Sequence, residues 1–220
     1  DVSWSRGLGD VYKRQLHGVV VIFGFTGILG KLISIEAEPL VFWRVTLGGA
    51  TTALFLWMAK RWQAWTWRGV AEAALVGWVV AAHWVTFFAS IKTSSVGLAL
   101  TMLATAPLFV GFIEPLVFGR RIALRELAVA AMVFLGIALV FDAEQDQWTG
   151  MMLGLVSALL AAVFSTVNGV LVRRHDPINL SAVELLSASV GMALWLVLRG
   201  QWGPGAVSYT HLTLPTTGIV

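Results

Sequence analysis

Seven stretches of this chain are apolar over roughly 17 to 25 residues each: 17–35, 39–59, 70–91, 95–118, 124–141, 150–172 and 179–198. At ~1.5 Å per residue, a helix of that length crosses a hydrocarbon layer ~30 Å thick. In such a layer backbone N–H and C=O groups meet no water. Each segment must satisfy its own, and a helix does so. The period-two alternation that a membrane β-barrel needs is absent from these runs. They are rich in Leu, Val, Ala and Gly, with few breakers. The expected fold is therefore all-α, a polytopic membrane helix bundle whose main neighbour is membrane lipid.

Composition removes the alternatives. Hydrophobic residues make up 58% of the 220 and charged residues only 12%, with a mean hydropathy of +0.81. Soluble domains carry about 25% charged residues, and a water-soluble fold of this size could not hide so much apolar surface. The net charge of +3 and isoelectric point of 9.7 would suit a nucleic-acid partner. The basic residues, however, fall in short loops and form no stripe, which argues for no nucleic acid. Cysteine is absent, so there is no disulfide framework and no thiolate metal site.

The loops sort by charge. Lys60, Arg61, Arg68, Arg120, Arg121, Arg125, Arg173 and Arg174 fall in one alternate set, eight basic residues against three (Lys31, Lys92 and Arg199) in the other. The other set also holds Glu36, Glu38, Asp142, Glu144 and Asp146. By the positive-inside rule the eight face the cytoplasm, as does the chain start. The expected location is the cell inner membrane, multi-pass. Trp62, Trp65 and Trp67 suit an interfacial aromatic belt. The ends change composition abruptly. DVSWSRGLGDVYKRQ (1–15) and VSYTHLTLPTTGIV (207–220) resemble translated adapter-like tails at the edges of metagenomic reading frames. They are expected to be non-native, which would leave a native part from about Leu16 to Ala206, cut at both ends.

A weak internal repeat is present. GILGK (Gly27 to Lys31) aligns with GVLVR (Gly169 to Arg173), and LVFWR (Leu40 to Arg44) with LSAVE (Leu180 to Glu184). The second copy begins five runs after the first, and that odd number inverts it in the membrane. Inverted repeats with a substrate site at their interface mark many transporters.

Longer stretches carry a resemblance. HWVTFFASIKTSSVGLALTMLATAPLFVGFIEPLVFGRRI (His83 to Ile122) resembles the third and fourth helices of an EamA repeat of the drug/metabolite transporter superfamily. FGFTGILGKLI and LVFWR resemble its first two helices, and ELAVAAMVFLGIALVF (Glu126 to Phe141) its fifth. The family implies ten helices in two five-helix inverted repeats around a central cavity, with a small metabolite or drug-like molecule as substrate. On that pattern residues 16–142 form the first repeat, and 147–206 open a second that is truncated after two helices. A homo-oligomer is left open.

An ionisable group inside a bilayer costs at least ~2.5–3.5 kcal/mol on insertion scales, so each one is a candidate. Glu114 lies about a turn and a half before Arg120. On a straight helix it shares a face with Gly97, Ala104 and Gly111, which would point it into the bundle near the cytoplasmic mouth. Its role is a gate, a proton acceptor or a substrate ligand, or else a fixed ion pair with Arg120, Arg121 or another helix. Pro107 and Pro115 free backbone groups nearby. Arg44 sits on the outer side and its repeat partner Glu184 at a similar depth on the inner side. Arg44 suits a substrate carboxylate or snorkels to the interface. Lys31 and Lys92 read as snorkelling anchors.

His83 falls mid-run with Thr86 and Ser90 on its face, as a proton carrier or an interhelical hydrogen bond. Trp84 reads as a cavity wall or as lipid-facing bulk. Gly154, Ser157, Ala161, Ser165 and Asn168 make a small-residue stripe, and Asn168 is its member most suited to a ligand. The run 124–141 has no polar residue between Ala128 and Phe141, so it should face lipid or another helix. No His or carboxylate pair falls at metal spacing, so no metal and no cofactor is expected. GxxxxGK[ST] is absent, so transport would draw on a gradient or run downhill. The readings set beside transport are a non-transporting membrane assembly subunit and a membrane-embedded enzyme; the second lacks a catalytic constellation.

Overall fold

The computed structural model describes residues 17–19, 21–22 and 25–202. The tails expected to be non-native, 1–15 and 207–220, lie outside the described residues. All regular structure among the described residues is helical. The helices are α1 (25–32), α2 (Ala37–Met58), α3 (Trp67–Thr93), α4 (Val96–Leu103), α5 (Ala106–Phe118), α6 (Leu124–Ala143), α7 (Trp148–Leu171) and α8 (Pro177–Leu198). Six helical segments among the described residues are long and apolar enough to cross a membrane, with α4 and α5 counting as one. In the seventh expected run, 17–35, the parts 17–19, 21–22 and 25–32 are helical.

The expected run 95–118 is not one straight helix. It breaks between Leu103 and Ala106. Pro107 has no N–H for the Leu103 carbonyl, and Thr105 stitches the gap. The Thr105 backbone N–H reaches Met102 O at 3.1 Å and its hydroxyl donates to the same oxygen at 2.6 Å. The face assigned to Glu114 on a straight helix is therefore corrected. Gly111 has no atom within 4 Å of where a Cβ would stand, so it marks no tight interface. Gly119, at φ 66°, closes α5 in the left-handed region.

The chain divides into two compact units, 1–33 with 86–162 and 34–85 with 163–220. In the first, Leu98, Met102 and Met151 form a buried cluster under Val140, Phe141 and Leu155. Gly154 lies against Met102, and the Ser90 hydroxyl donates to Gly150 O at 2.7 Å. Lys31 and Lys92 do more than snorkel. Lys31 Nζ donates to Ile91 O and Ser94 O at 2.9 and 3.0 Å, and Lys92 Nζ to Ile33 O at 2.9 Å. Each ammonium fills carbonyls left open where a helix ends, at the negative pole of its dipole. Of α6 only Ala130 is buried, and Met132, Leu135 and Leu139 are exposed, as an apolar lipid-facing helix requires.

In the second unit α2 packs along α8. The two helices are 22 residues each, and their limits, 37 and 58 against 177 and 198, differ by 140 at both ends. They also end alike. Lys60 N–H bonds Trp57 O at 3.1 Å and Arg61 N–H bonds Leu56 O at 2.9 Å; Gly200 N–H bonds Val197 O at 3.0 Å and Gln201 N–H bonds Leu196 O at 2.9 Å. This is the Schellman cap twice over, with Lys60 (φ 51°) and Gly200 (φ 65°) at its left-handed position. A non-glycine there costs ~1–2 kcal/mol, so Lys60 is held against its own preference.

The crossing of α2 and α8 repeats the same shift. The Thr46 and Ser189 hydroxyls lie 2.6 Å apart, and Gly49 lies against Leu186, whose N would stand 3.1 Å from a Cβ. Shifting 46 and 49 by 140 gives 186 and 189, so each contact maps onto the other. The helices run antiparallel and meet through matched faces, the pattern of a local two-fold axis.

Candidate functional site

Two groups of candidates emerge, one in each unit. In the second unit α2, α3, α7 and α8 carry Arg44, His83, Trp84, Asn168 and Glu184. Ala73, Val76, Val80, Leu171 and Leu180 form a buried apolar cluster, and Trp84, Phe164, Val167 and Val183 pack against it. Three of these, Trp84, Val167 and Val183, are the chain neighbours of His83, Asn168 and Glu184. His83 is buried, with its ring 5.4 Å from that of Phe164. The Arg44 guanidinium sits 4.9 Å from the centroid of the Trp84 ring, a cation–π contact between α2 and α3. Trp84 is thus half-buried and a wall to a cation.

Glu184 is 5% exposed. Its backbone carbonyl touches α3 at Gly77, where any Cβ would collide with it. That close approach requires the glycine. One of its oxygens, Oε2, accepts a bond from Asn168 Nδ2 at 3.3 Å. Neither Glu184 Oε1 nor Asn168 Oδ1 has a hydrogen-bond partner among the described residues. Sequence reasoning named both residues without joining them. It missed Thr166, which is buried with an unpartnered hydroxyl, whereas Ser165 of the expected stripe is exposed.

In the first unit Glu114 is paired. Arg120 Nη2 donates to Glu114 Oε2 at 2.9 Å, and Arg120 Nη1 donates to both oxygens of Glu126 at 2.9 Å. Glu126 Oε2 also accepts the Ala123 N–H at 2.9 Å, closing the start of α6. The Glu126 and then the Glu114 hydrogen bonds hold the Arg120 guanidinium above its ordinary range. The three side chains border a cavity of 410 Å³ between α5 and α6, lined otherwise mainly by apolar residues such as Phe112, Val129 and Val133, with Arg125 at its edge. Glu126 was not singled out from the sequence. The available signal was an acid three residues into a helix start.

A further polar cluster, also missed, joins two loops of the second unit. Gln63 N–H donates to Asn179 Oδ1 at 2.9 Å, Asn179 Nδ2 to Arg61 O at 3.0 Å, and Asp176 N–H to Gln63 Oε1 at 2.9 Å. The Trp65 and His175 rings stack 4.2 Å apart. Hydrogen bonds from Asn179, first from its side chain, hold the Asp176 carboxyl below its ordinary range.

Helices that can cross a bilayer, with acids, arginine and histidine held between them, define a polytopic α-helical membrane protein with a polar interior. Residues 16–142 match the EamA-like transporter family, and the protein belongs to that family. An uncharacterized transporter of Bacillus subtilis (strain 168), YxxF, is 26% identical over 151 residues, 66% of this chain and 48% of the relative. Two uncharacterized transporters of Archaeoglobus fulgidus are 25% identical over 96 residues and 32% identical over 78 residues. These cover 44% and 36% of this chain, and 35% and 27% of the relatives. The chain thus spans about half the length, or less, of the curated relatives it matches. No solved structure matches it.

Proposed function

We propose that this chain belongs to a secondary transporter that moves a small metabolite or drug-like molecule by alternating access through a cavity between two inverted repeats. In this reading residues 16–142 are the first repeat and 147–206 open the second. The observation that carries it is the α2–α8 pair: equal lengths, equal C-terminal caps and a crossing that maps onto itself under one 140-residue shift. Antiparallel partners built this way are what an inverted duplication produces. Family membership and relatives named as transporters support the same reading. Arg44, His83, Trp84, Asn168 and Glu184 line the substrate path, and the Glu114–Arg120–Glu126 cluster is a gate. The protein sits in the cell inner membrane with its start in the cytoplasm.

Flux of labelled metabolites into proteoliposomes tests this. Uptake should fall about tenfold or more, ~1.4 kcal/mol, in Arg44→Ala with membrane insertion unchanged. Turnover of a lipid or soluble compound without flux would instead identify an enzyme, and neither activity would leave an assembly subunit.

A further inference from the structure

Glu184 presents a question that its neighbours leave open. It is 95% buried, taking 5% as exposed. A carboxylate has about four acceptor positions, yet this one receives a single bond of 3.3 Å. Its Oε1, and the Oδ1 of the asparagine that touches it, are buried without partners. An uncompensated buried charge costs far more than a hydrogen bond returns, and buried oxygens are seldom left unmatched. Two acceptors on adjacent helices, one of them acidic, call for a ligand with several donors and a positive charge.

The surroundings narrow the choice. Hard metal ions take about six oxygen ligands, whereas this pair offers two free oxygens. An ammonium group carries three donors and needs no such shell. The residues next in the chain, Val167 and Val183, pack with Trp84 and Phe164 on one apolar cluster. Apolar and aromatic side chains on the same and neighbouring helices suit the organic body that an ammonium group would bring with it.

We propose that Glu184 and Asn168 form a binding site for an organic ammonium, with Glu184 Oε1 and Asn168 Oδ1 as the acceptors. This gives a substrate class to the path proposed above and rests on that reading for its transport role, though not for its binding.

The test is made on the whole chain in nanodiscs. Thermal unfolding is followed with phenylethylamine hydrochloride, with phenylethanol as the uncharged analogue, and with sodium chloride at equal ionic strength. Saturating amine should raise Tm by ~5 °C or more, and the other two should not. Glu184→Gln should abolish the rise while keeping its own cooperative transition. If that variant fails to fold, Asn168→Ala should weaken the amine midpoint at least tenfold. An equal rise with phenylethanol or sodium chloride, or a full rise in Glu184→Gln, overturns the proposal; so does the absence of any amine effect. Flux is measured separately. Amine bound and never carried keeps the site and removes the transporter reading. A different solute carried, with no amine effect, does the reverse.

Discussion

Glu114 keeps 41% of its side chain exposed and meets a guanidinium at 2.9 Å. Glu184 is 5% exposed and meets one amide at 3.3 Å. Both are acids on helices long enough to cross a membrane. Glu114 stands near a helix end, where the left-handed Gly119 turns the chain and returns Arg120 to it. Its counter-charge comes from local sequence. Glu184 stands seven residues into α8, pressed on the α3 backbone at Gly77, and among the described residues no cation pairs with it. An acid near a helix end can be satisfied by its own loop. An acid held by close helix packing depends on what enters.

That contrast breaks most visibly at glycine. Gly77→Leu would drive a side chain into the Glu184 carbonyl, and backbone cannot yield as a side-chain tip can. The expected loss is ~1–3 kcal/mol or more, read as a lower unfolding midpoint in nanodiscs. At Gly111, on the helix of Glu114, a Cβ would meet nothing within 4 Å, and Gly111→Ala should leave the midpoint nearly unchanged. Equal losses at both would erase the distinction between the two environments.

Arg120→Ala sharpens the other side. It leaves Glu114 and Glu126 facing the α5–α6 cavity without their shared cation. A modest drop in Tm is expected, larger at low salt than at high salt, because partly exposed charges are screened. A drop independent of salt would mean that Arg120 acts through packing alone.

The smallest effect is at Asp176, the start of α8. Its folded pKa lies below its unfolded value of about 3.9. The carboxylate therefore adds stability above that unfolded value and loses it as pH falls through the folded one. Asp176→Asn should flatten this acid limb in a pH series of unfolding midpoints, by lowering the midpoint slightly at neutral pH and leaving it unchanged in acid. An unchanged limb would assign the acid sensitivity to other carboxylates.

The spans were legible because the constraint on them is local. Each turn of a membrane helix must be apolar and hydrogen-bonded within itself, so the runs 39–59 and 179–198 foretold Ala37–Met58 and Pro177–Leu198 closely. The Glu114 pair with Arg120 was legible too, since six residues separate them. Glu126 escaped notice because it bonds across a turn onto the next helix. The straight helix through 95–118 misled, since a proline's effect depends on what stitches the gap around it.

Sequence by itself determined that the chain is a membrane helix bundle, where α2, α3, α6, α7 and α8 start and stop to within about three residues, and which few polar residues must be accounted for. Hydrophobicity, length and backbone satisfaction act residue by residue along the chain, so a linear reading recovers them. Tertiary structure alone decided the partners of those polar residues that bond across long stretches of chain. Lys31 fills carbonyls at Ile91 and Ser94, Arg44 stacks on Trp84, and Asn168 reaches Glu184. Such contacts are fixed to a few tenths of an ångström by helix crossings, and a crossing depends on packing summed over whole faces rather than on any short motif.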